Sequence, residues 1–293
     1  MIEETRFRYI GAGSAEIAAY QWEGTSEIPK AVIQLAHGAG EHSLRYLEPL
    51  TPIIEAGYTV FSADHRGHGR TSGLDGLGDF GPGGAESAIE DMAMLSQLIR
   101  QDHPGLPLIL LGHSMGAMFA QVYVLDYSDQ IDALVLSGTA GGPRLPEGTP
   151  PPAPAPRDVF EKRTEYDWLS RDPAEVDRYI ADPLCGIRFK PESGASLAKL
   201  RGRMGDVAAL QGVRSNLPVY IFVGDKDPVN AGLTRIHPLV QMYRDAGLTD
   251  VTLKVYEGGR HEMLNETNRA EVVADLMAWL EEAVTKIELN QLR

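Results

Sequence analysis

The sequence predicts an α/β protein in which a mostly parallel sheet carries helices on both faces. Short apolar runs typical of buried strands recur along the 293 residues, and stretches with helical periodicity lie between them. This alternation of strands and helices predicts a doubly wound sheet. The apolar runs are residues 30–37, 58–63, 106–111, 133–136, 219–223 and 252–256.

Helical periodicity predicts four helices between and after these strands, at residues 47–56, 85–101, 115–126 and 269–284. The alternation then breaks over a long segment. It begins with the proline-rich stretch PRLPEGTPPPAPAP, which cannot continue a sheet or a helix, and goes on to amphipathic helical segments at 159–169 and 174–180.

We interpret this break as an insertion into a single domain. The expected core consists of residues 1–140 and 217–293, and the expected helical cap of residues 141–216. A cap over the carboxyl edge of the sheet would cover the place where doubly wound folds bind ligands. For the proline tract alone a disordered linker is the alternative, and a flexible first part of the cap would satisfy both interpretations.

Charge and composition exclude several classes of partner. The 27 basic residues against 41 acidic ones give a net charge of −14, which opposes binding to nucleic acid or to an anionic membrane through charge. No apolar run reaches the roughly 18 to 20 residues of a spanning helix, and no secretory signal is visible in the first 25 residues. We expect a soluble, cytoplasmic protein, although an apolar cap surface could contact lipid transiently.

The single Cys185 excludes an internal disulfide and indicates a packing residue. Paired Cys and His spacings of the structural-zinc type do not occur, so no metal is expected. The glycine clusters 81–84 and 138–142 do not match a dinucleotide fingerprint between a strand and a helix. We therefore expect no nicotinamide or flavin cofactor.

The pentapeptide Gly112-His113-Ser114-Met115-Gly116 follows a buried strand and opens a helix. In that position the G-x-S-x-G pattern predicts a nucleophilic serine on a turn so tight that its flanking residues must be small. The amino terminus of the helix favours the negative charge that develops during attack. Ser114 is the expected nucleophile.

A serine hydroxyl needs a base to remove its proton, and His261 lies where this fold places one, after the last strand. It belongs to the glycine-rich loop Glu257-Gly258-Gly259-Arg260-His261. The histidines at 65, 68, 103 and 237 lie in an early loop or beside prolines at segment ends, where a solvated or locally bonded histidine is the simpler interpretation.

The acid that orients this base should follow the preceding strand. Gly224-Asp225-Lys226-Asp227 supplies two candidates. We favour Asp227, because the first acidic residue of such a loop more often caps the turn. Asp225 would then be an Asx-turn residue.

Acyl transfer also needs hydrogen-bond donors for the oxyanion. The amide after the nucleophile, that of Met115, is one candidate. The amide of Ala39, in the loop His37-Gly38-Ala39-Gly40, is the other. The alternative for that loop is that its glycines serve only to turn the chain.

Several motifs together resemble the monoacylglycerol lipase and lysophospholipase branch of the α/β-hydrolases, within the S33 type of serine hydrolases, over nearly the whole chain. They include HGAGEHS at 37–43, DHRGHGRTSG at 64–73, GHSMG at 112–116, GDKD at 224–227 and YEGGRH at 256–261. The resemblance implies an eight-stranded α/β-hydrolase sheet with an inserted cap. It also implies that the second aspartate of the GDKD loop, Asp227, is the triad acid.

The family's contacts to the glycerol end of its substrate match four positions here, Glu41, Arg45, His113 and Tyr179. The resemblance implies that these side chains would bind the free hydroxyls of a monoacylglycerol. The proline tract departs from the family pattern, and the cap largely decides chain length and head group.

The sequence thus predicts a serine carboxylic ester hydrolase, with a monoacylglycerol as the expected substrate. A broad carboxylesterase for short acyl chains is the first alternative, and a lysophospholipase is the second. An inactive hydrolase that serves as a scaffold is the alternative from another class, but such proteins usually lack a member of the triad.

Overall fold

The structure, a computed structural model, describes residues 1–25, 28–142 and 163–291. Within these residues lies one eight-stranded sheet whose strands are β1 (Glu3–Ile10), β2 (Glu16–Glu23), β3 (Ala31–Ala36), β4 (Tyr58–Ala63), β5 (Leu108–His113), β6 (Ala133–Ser137), β7 (Val219–Gly224) and β8 (Val251–Tyr256). The spatial order is β1-β2-β4-β3-β5-β6-β7-β8. β2 pairs antiparallel with β1 and β4, and the remaining pairs are parallel. The mostly parallel sheet predicted from the sequence is confirmed.

The hairpin of β1 and β2 was not indicated by any apolar run. β1 is an edge strand, paired along its length with β2 from Glu3 opposite Glu23 to Ile10 opposite Glu16. Phe7 and Tyr9 pack against the core, while most of the other β1 residues are exposed. An edge strand with so few buried positions has no continuous apolar pattern to find.

The helices of the described residues are α1 (Leu47–Glu55), α2 (Gly69–Ser72), α3 (Gly84–Asp102), α4 (Met115–Tyr127), α5 (Pro173–Ala181), α6 (Pro191–Arg201), α7 (Val207–Leu210), α8 (His237–Asp245) and α9 (Arg269–Gln291). The four helices predicted for the core correspond to α1, α3, α4 and α9. None of the helices in the described ranges is long and apolar enough to cross a membrane.

Two hydrophobic clusters cover the two faces of the sheet. Along β5, Leu108 and Leu110 belong to the cluster with α3, α4 and α8, whereas Ile109 and Leu111 belong to the cluster with α1 and α9. This alternation follows from the two-residue period of a strand. The buried sheet fixes the positions of the loops at its carboxyl edge.

The segment expected to form the cap is helical only in part. The helix predicted at 174–180 is present as α5. The helix predicted at 159–169 is wrong in its described part, because residues 163–169 form turns. There the Asp167 carboxylate accepts the amides of Arg163 and Thr164, bonds that compete with a helix. Residues 159–162 and the proline tract lie outside the described residues.

The later part of this segment packs against the core. Leu197 and Leu200 of α6 and Leu210 of α7 belong to the same hydrophobic cluster as α3 and α4. The earlier part, residues 163–187, contacts the loops after β3 and β8, as Gly186 does with Gly40 and Trp168 with His261.

Candidate active site

Ser114 occupies the turn between β5 and α4. Its backbone has φ 54° and ψ −113°, a conformation that costs about 1–3 kcal/mol in a non-glycine residue. A Cβ on Gly116 would collide with the carbonyl oxygen of Ala36, and one on Gly112 would lie 2.5 Å from the carbonyl oxygen of Gly116. The flanking glycines therefore make the turn possible, and the turn holds the serine side chain above the sheet edge.

His261 and Asp227 complete a hydrogen-bonded chain with this serine. The distance from His261 Nε2 to Ser114 Oγ is 2.8 Å, and that from His261 Nδ1 to Asp227 Oδ2 is 2.9 Å. Asp227 follows β7 and His261 follows β8, and both are almost fully buried. In the tautomer protonated at Nδ1, His261 donates to Asp227 and accepts the serine proton at Nε2.

The surroundings of His261 favour its protonated form. Burial lowers the pKa of this histidine, but the charge and hydrogen bond of Asp227, together with the charges of Glu262 and Glu41, raise it above its usual value. The site can therefore hold a positive charge on His261.

The two aspartates of the 224–227 loop have different partners. Asp225 Oδ1 accepts the amide of Gly258 at 2.7 Å and thereby ties this loop to the histidine loop. The Asx turn expected at Asp225 is wrong, because Asp227 makes this turn with its other oxygen, which accepts the amide of Val229 at 2.8 Å. Asp225 thus supports the turn that precedes His261.

The loop that carries Ala39, one of the two expected oxyanion donors, lies beside the serine. A Cβ built on Gly38 would lie 3.1 Å from Ser114 Cβ, so the backbone of this loop passes close to the nucleophile. Ala39 is exposed on this loop. Met115 is the first residue of α4, and the amides of a first turn have no acceptor within the helix.

Glu41 and Arg45, two of the expected head-group residues, form a buried polar cluster with Glu262. Arg45 Nη1 donates to Glu41 Oε2 at 2.5 Å, and its two terminal nitrogens donate to both oxygens of Glu262 at 2.9 and 2.7 Å. Glu41 Oε1 accepts the amide of Gly38 at 2.5 Å and the hydroxyl of Tyr46 at 2.6 Å. Both oxygens of Glu41 are thus already engaged by the protein.

The pKa values in this cluster keep both glutamates charged. Burial would raise the pKa of Glu41, but the charge of Arg45 and the hydrogen bond from Tyr46 lower it to about 2. The pKa of Glu262 is lowered as well, because the charge and hydrogen bonds of Arg45 outweigh its burial. Sequence reasoning missed Glu262, since its partner Arg45 lies far away in the chain.

His113 and Tyr179, the other two expected head-group residues, both lie beside this cluster. The His113 ring is 4.8 Å from that of His261, and burial lowers the His113 pKa to about 4, so this ring is neutral near pH 7. The Tyr179 ring stacks against the Arg45 guanidinium at 4.9 Å, and its hydroxyl accepts the amide of Gly186 at 3.1 Å.

The turn at 163–169 brings an aromatic residue that sequence reasoning missed. The Trp168 ring lies 4.8 Å from the His261 ring. Trp168 comes from the segment between β6 and β7, whereas His261 follows β8. The carbonyls of Trp168 and Leu169 accept the amides of His261 and Glu262 at 3.4 and 2.8 Å. No spacing or motif in the sequence connects this tryptophan with the histidine loop.

One group in the described ranges has the residue types of a metal site. His42, Asp182 and Cys185 offer one ligand atom each within 4.8 Å of one another. His42 Nε2 already bonds Asp182 Oδ2 at 2.9 Å, and burial raises the pKa of the Cys185 thiol, which disfavours the thiolate that a metal would bind. Cys185 is half-buried rather than a core residue.

The sheet order and the sequence of serine, aspartate and histidine after successive strands define the α/β-hydrolase fold. The chain belongs to the serine aminopeptidase S33 family, whose family model matches residues 27–268. The resemblance seen in the motifs is thereby confirmed.

Two curated relatives are similar over most of their length. A monoacylglycerol lipase of Mycolicibacterium smegmatis is 32% identical over 297 residues, which cover 96% of this chain and 99% of the relative. The monoglyceride lipase of Homo sapiens is 29% identical, covering 88% of this chain and 83% of the relative.

A solved structure of a thermostable carboxyl esterase from Bacillus coagulans, in complex with glycerol, superposes with a TM-score of 0.85 at 26% identity. It covers 96% of this chain and 99% of the esterase. These comparisons confirm the enzyme class expected from the sequence, a carboxylic ester hydrolase related to the monoacylglycerol lipases.

Proposed function

We propose that this protein hydrolyses a monoacylglycerol, or a similar single-chain ester, through an acyl-enzyme formed on Ser114. The observation that carries the proposal is the continuous hydrogen-bonded chain from Ser114 through His261 to Asp227, beside a polar cluster that suits a hydroxylated alcohol. The relatedness to a monoacylglycerol lipase over nearly the whole chain supports this choice of substrate.

In the first half-reaction, Ser114 Oγ attacks the ester carbonyl while His261 Nε2 takes the hydroxyl proton. The amides of Ala39 and Met115 donate to the oxyanion of the tetrahedral intermediate. When the intermediate collapses, the bond from carbonyl carbon to alcohol oxygen breaks, and His261 returns the proton to the departing alcohol. Asp227 holds the imidazole orientation and stabilises its positive charge.

In the second half-reaction, water replaces the alcohol. His261 removes a proton from this water, which attacks the acyl carbonyl, and the same two amides hold the new oxyanion. Collapse breaks the bond to Ser114 Oγ and returns the proton to the serine. The fatty acid then leaves a regenerated enzyme.

The head-group roles are proposed for Tyr179, Arg45 and His113 more directly than for Glu41. The Tyr179 hydroxyl accepts from Gly186 and can still donate its own proton to a glycerol oxygen. The two oxygens of Glu41 already accept three hydrogen bonds from protein groups, so its effect on a glycerol would depend on one remaining lone pair.

A broad carboxylesterase remains a second candidate, favoured by the close structural similarity to the esterase from Bacillus coagulans. A lysophospholipase would use the same triad with a larger head group. The inactive-scaffold alternative is opposed by the complete hydrogen-bonded triad.

The experiment is a comparison of initial rates on three esters of one acyl chain: a 1-monoacylglycerol, the p-nitrophenyl ester and a lysophospholipid. We expect the glycerol ester to give the highest kcat/KM, with Ser114→Ala protein as the blank. A higher kcat/KM on the p-nitrophenyl ester than on the glycerol ester would replace the lipase proposal by the esterase. If none of the three esters is hydrolysed, the result would support the interpretation as an inactive scaffold.

We also propose, from the sequence, a cytoplasmic location and transient contact with lipid surfaces. Flotation with vesicles tests that contact. The net charge of −14 predicts weaker association with anionic than with zwitterionic vesicles.

A further inference from the structure

Glu262 directly follows the base of the triad and is buried to 5% exposure. Its carboxylate receives both terminal nitrogens of Arg45, and it also accepts the side-chain amide of Asn265 at 3.0 Å. A carboxylate taken out of water needs such partners, because an unpaired buried charge is strongly unfavourable. The contacts therefore hold the residue after His261 in one position.

The same arginine connects Glu262 to the oxyanion loop. Arg45 also donates to Glu41, and Glu41 accepts the amide of Gly38, whose backbone passes beside Ser114. A continuous series of charge-assisted bonds thus runs from the oxyanion loop to the histidine loop. Such bonds are shorter and stronger than neutral ones, and the bidentate arginine adds a fixed orientation.

These bonded groups also place a net negative charge near His261. Two carboxylates share one guanidinium, which leaves an excess of one negative charge close to His261. The titratable groups facing His261 come from each element packed against it, and they are Asp227 after β7, His113 at the end of β5, Glu41 in the first loop and Glu262. Among them Glu262 and Glu41 act together with Asp227 to favour the imidazolium.

We propose that Glu262 is a positioning residue of the ester hydrolase reaction. It fixes Arg45 and thereby holds the oxyanion loop (residues 37–40) in a constant position relative to the histidine loop (residues 257–261). The proposal rests on the function proposed above and extends it to a residue that does not touch the substrate. It assigns Arg45 a second role, as the connection between the two loops, besides any contact to a head group.

A purely structural ion pair would have different consequences. Its loss would lower the temperature of unfolding but leave the ionisation of the base and the turnover of the remaining folded protein unchanged. A positioning role requires that kcat falls for esters with and without a hydroxylated alcohol, since the misplaced groups act on the carbonyl. A head-group role alone would raise KM for the glycerol ester only.

The test uses two variants of Glu262 and one matched control in the full-length protein. Glu262→Gln keeps the size of the side chain and removes its charge. Glu262→Asp keeps the charge but shortens the reach to Arg45. The control is Glu175→Gln, because Glu175 is buried to 7% exposure and pairs instead with Arg178 and Arg269.

For Glu262→Gln we expect kcat to fall about 10- to 100-fold on the 1-monoacylglycerol and on the methyl ester of the same acid, as misplaced reacting groups cause. The acidic limb of kcat/KM should move to lower pH, because the base loses a stabilising negative charge. Glu262→Asp should keep the limb near its wild-type pH while kcat falls. Glu175→Gln should change neither quantity.

The proposal is overturned if Glu262→Gln, shown to be folded by circular dichroism, turns over both esters like the wild type with an unmoved limb. Should this variant not fold, wild-type kcat in Glu262→Asp overturns it equally. If the methyl ester rate is unchanged and only the KM for the glycerol ester is raised, the positioning role is also overturned. Glu262 would then only support a head-group contact. If wild type and Ser114→Ala hydrolyse every ester equally, the proposed function fails instead.

Discussion

The candidate site is bordered by two regions that are held in different ways. Ser114, Asp227 and His261 lie one, three and five residues after the ends of β5, β7 and β8, in a sheet whose two faces are buried. Trp168 and Tyr179 come from the segment between the sheet halves, which reaches the site through turns and α5. That segment is joined to the sheet edge by bonds such as Gly186 to the Gly40 carbonyl, at 2.9 Å.

The difference separates chemistry from recognition. Strand ends in a close-packed sheet fix reacting groups to within tenths of an ångström, as bond making requires. A segment held by polar bridges can vary in sequence without disturbing them. We therefore expect changes at the sheet edge to affect all esters alike, and changes in the 163–187 segment to alter the preference among esters.

The largest expected effect concerns the nucleophile at the sheet edge. Ser114→Ala should lower kcat by about a million-fold, since the acyl-enzyme can no longer form. The measurement is steady-state hydrolysis of the glycerol and p-nitrophenyl esters, and the loss should be equal on both. A residual activity of several per cent on either ester would place the nucleophile elsewhere.

The next effect distinguishes the two aspartates of one loop. Asp227→Asn should lower kcat about 10⁴-fold, because the amide cannot hold the required tautomer of His261 or stabilise its charge. Asp225→Asn is the matched control, two residues away and bonded to Gly258 instead. If the control loses as much activity as Asp227→Asn, the assignment of the acid is wrong.

The pH dependence reports on the base where both regions meet. His261 must be neutral to accept the serine proton, and its pKa is raised by Asp227, Glu262 and Glu41 against its burial. The log of kcat/KM should therefore rise with pH through a limb above the usual histidine value of about 6.5. A limb below that value would mean that burial dominates.

The smallest effect tests the segment at 163–187. Tyr179→Phe should lower kcat/KM about 2- to 10-fold on a 1-monoacylglycerol, the value of one neutral hydrogen bond, and leave the methyl ester unchanged. Tyr166→Phe provides the control, because the Tyr166 ring lies beside that of Tyr179, with 5.0 Å between their centres and an angle of 53° between their planes. Equal losses on both esters would show that this segment also positions the reacting groups.

The sequence predicts those parts whose causes are local. The turn at Ser114 needs small residues on both sides, and the strands of a doubly wound sheet are continuous apolar runs, so both leave a pattern within a few residues. The order of serine, aspartate and histidine after successive strands then follows from the fold. For these reasons the sheet and the hydrogen-bonded chain could be anticipated.

The parts that were missed depend on distant partners. Arg45 and Glu262 are 217 positions apart, and Trp168 approaches His261 from another segment, so neither contact leaves a periodic signal. The helix predicted at 159–169 is wrong in its described part because the Asp167 side chain bonds the preceding amides. The edge strand β1 was not predicted, because few of its residues are buried and it has no continuous apolar run.

The most direct test of the central claim is covalent labelling with a fluorophosphonate, in which an activated serine displaces fluoride from phosphorus. Intact-mass and peptide analysis should find one adduct per chain, on Ser114, formed in wild type and absent from Ser114→Ala. His261→Ala should label far more slowly, since the serine has lost its base. Labelling of another residue, or equal labelling of wild type and Ser114→Ala, would contradict the account.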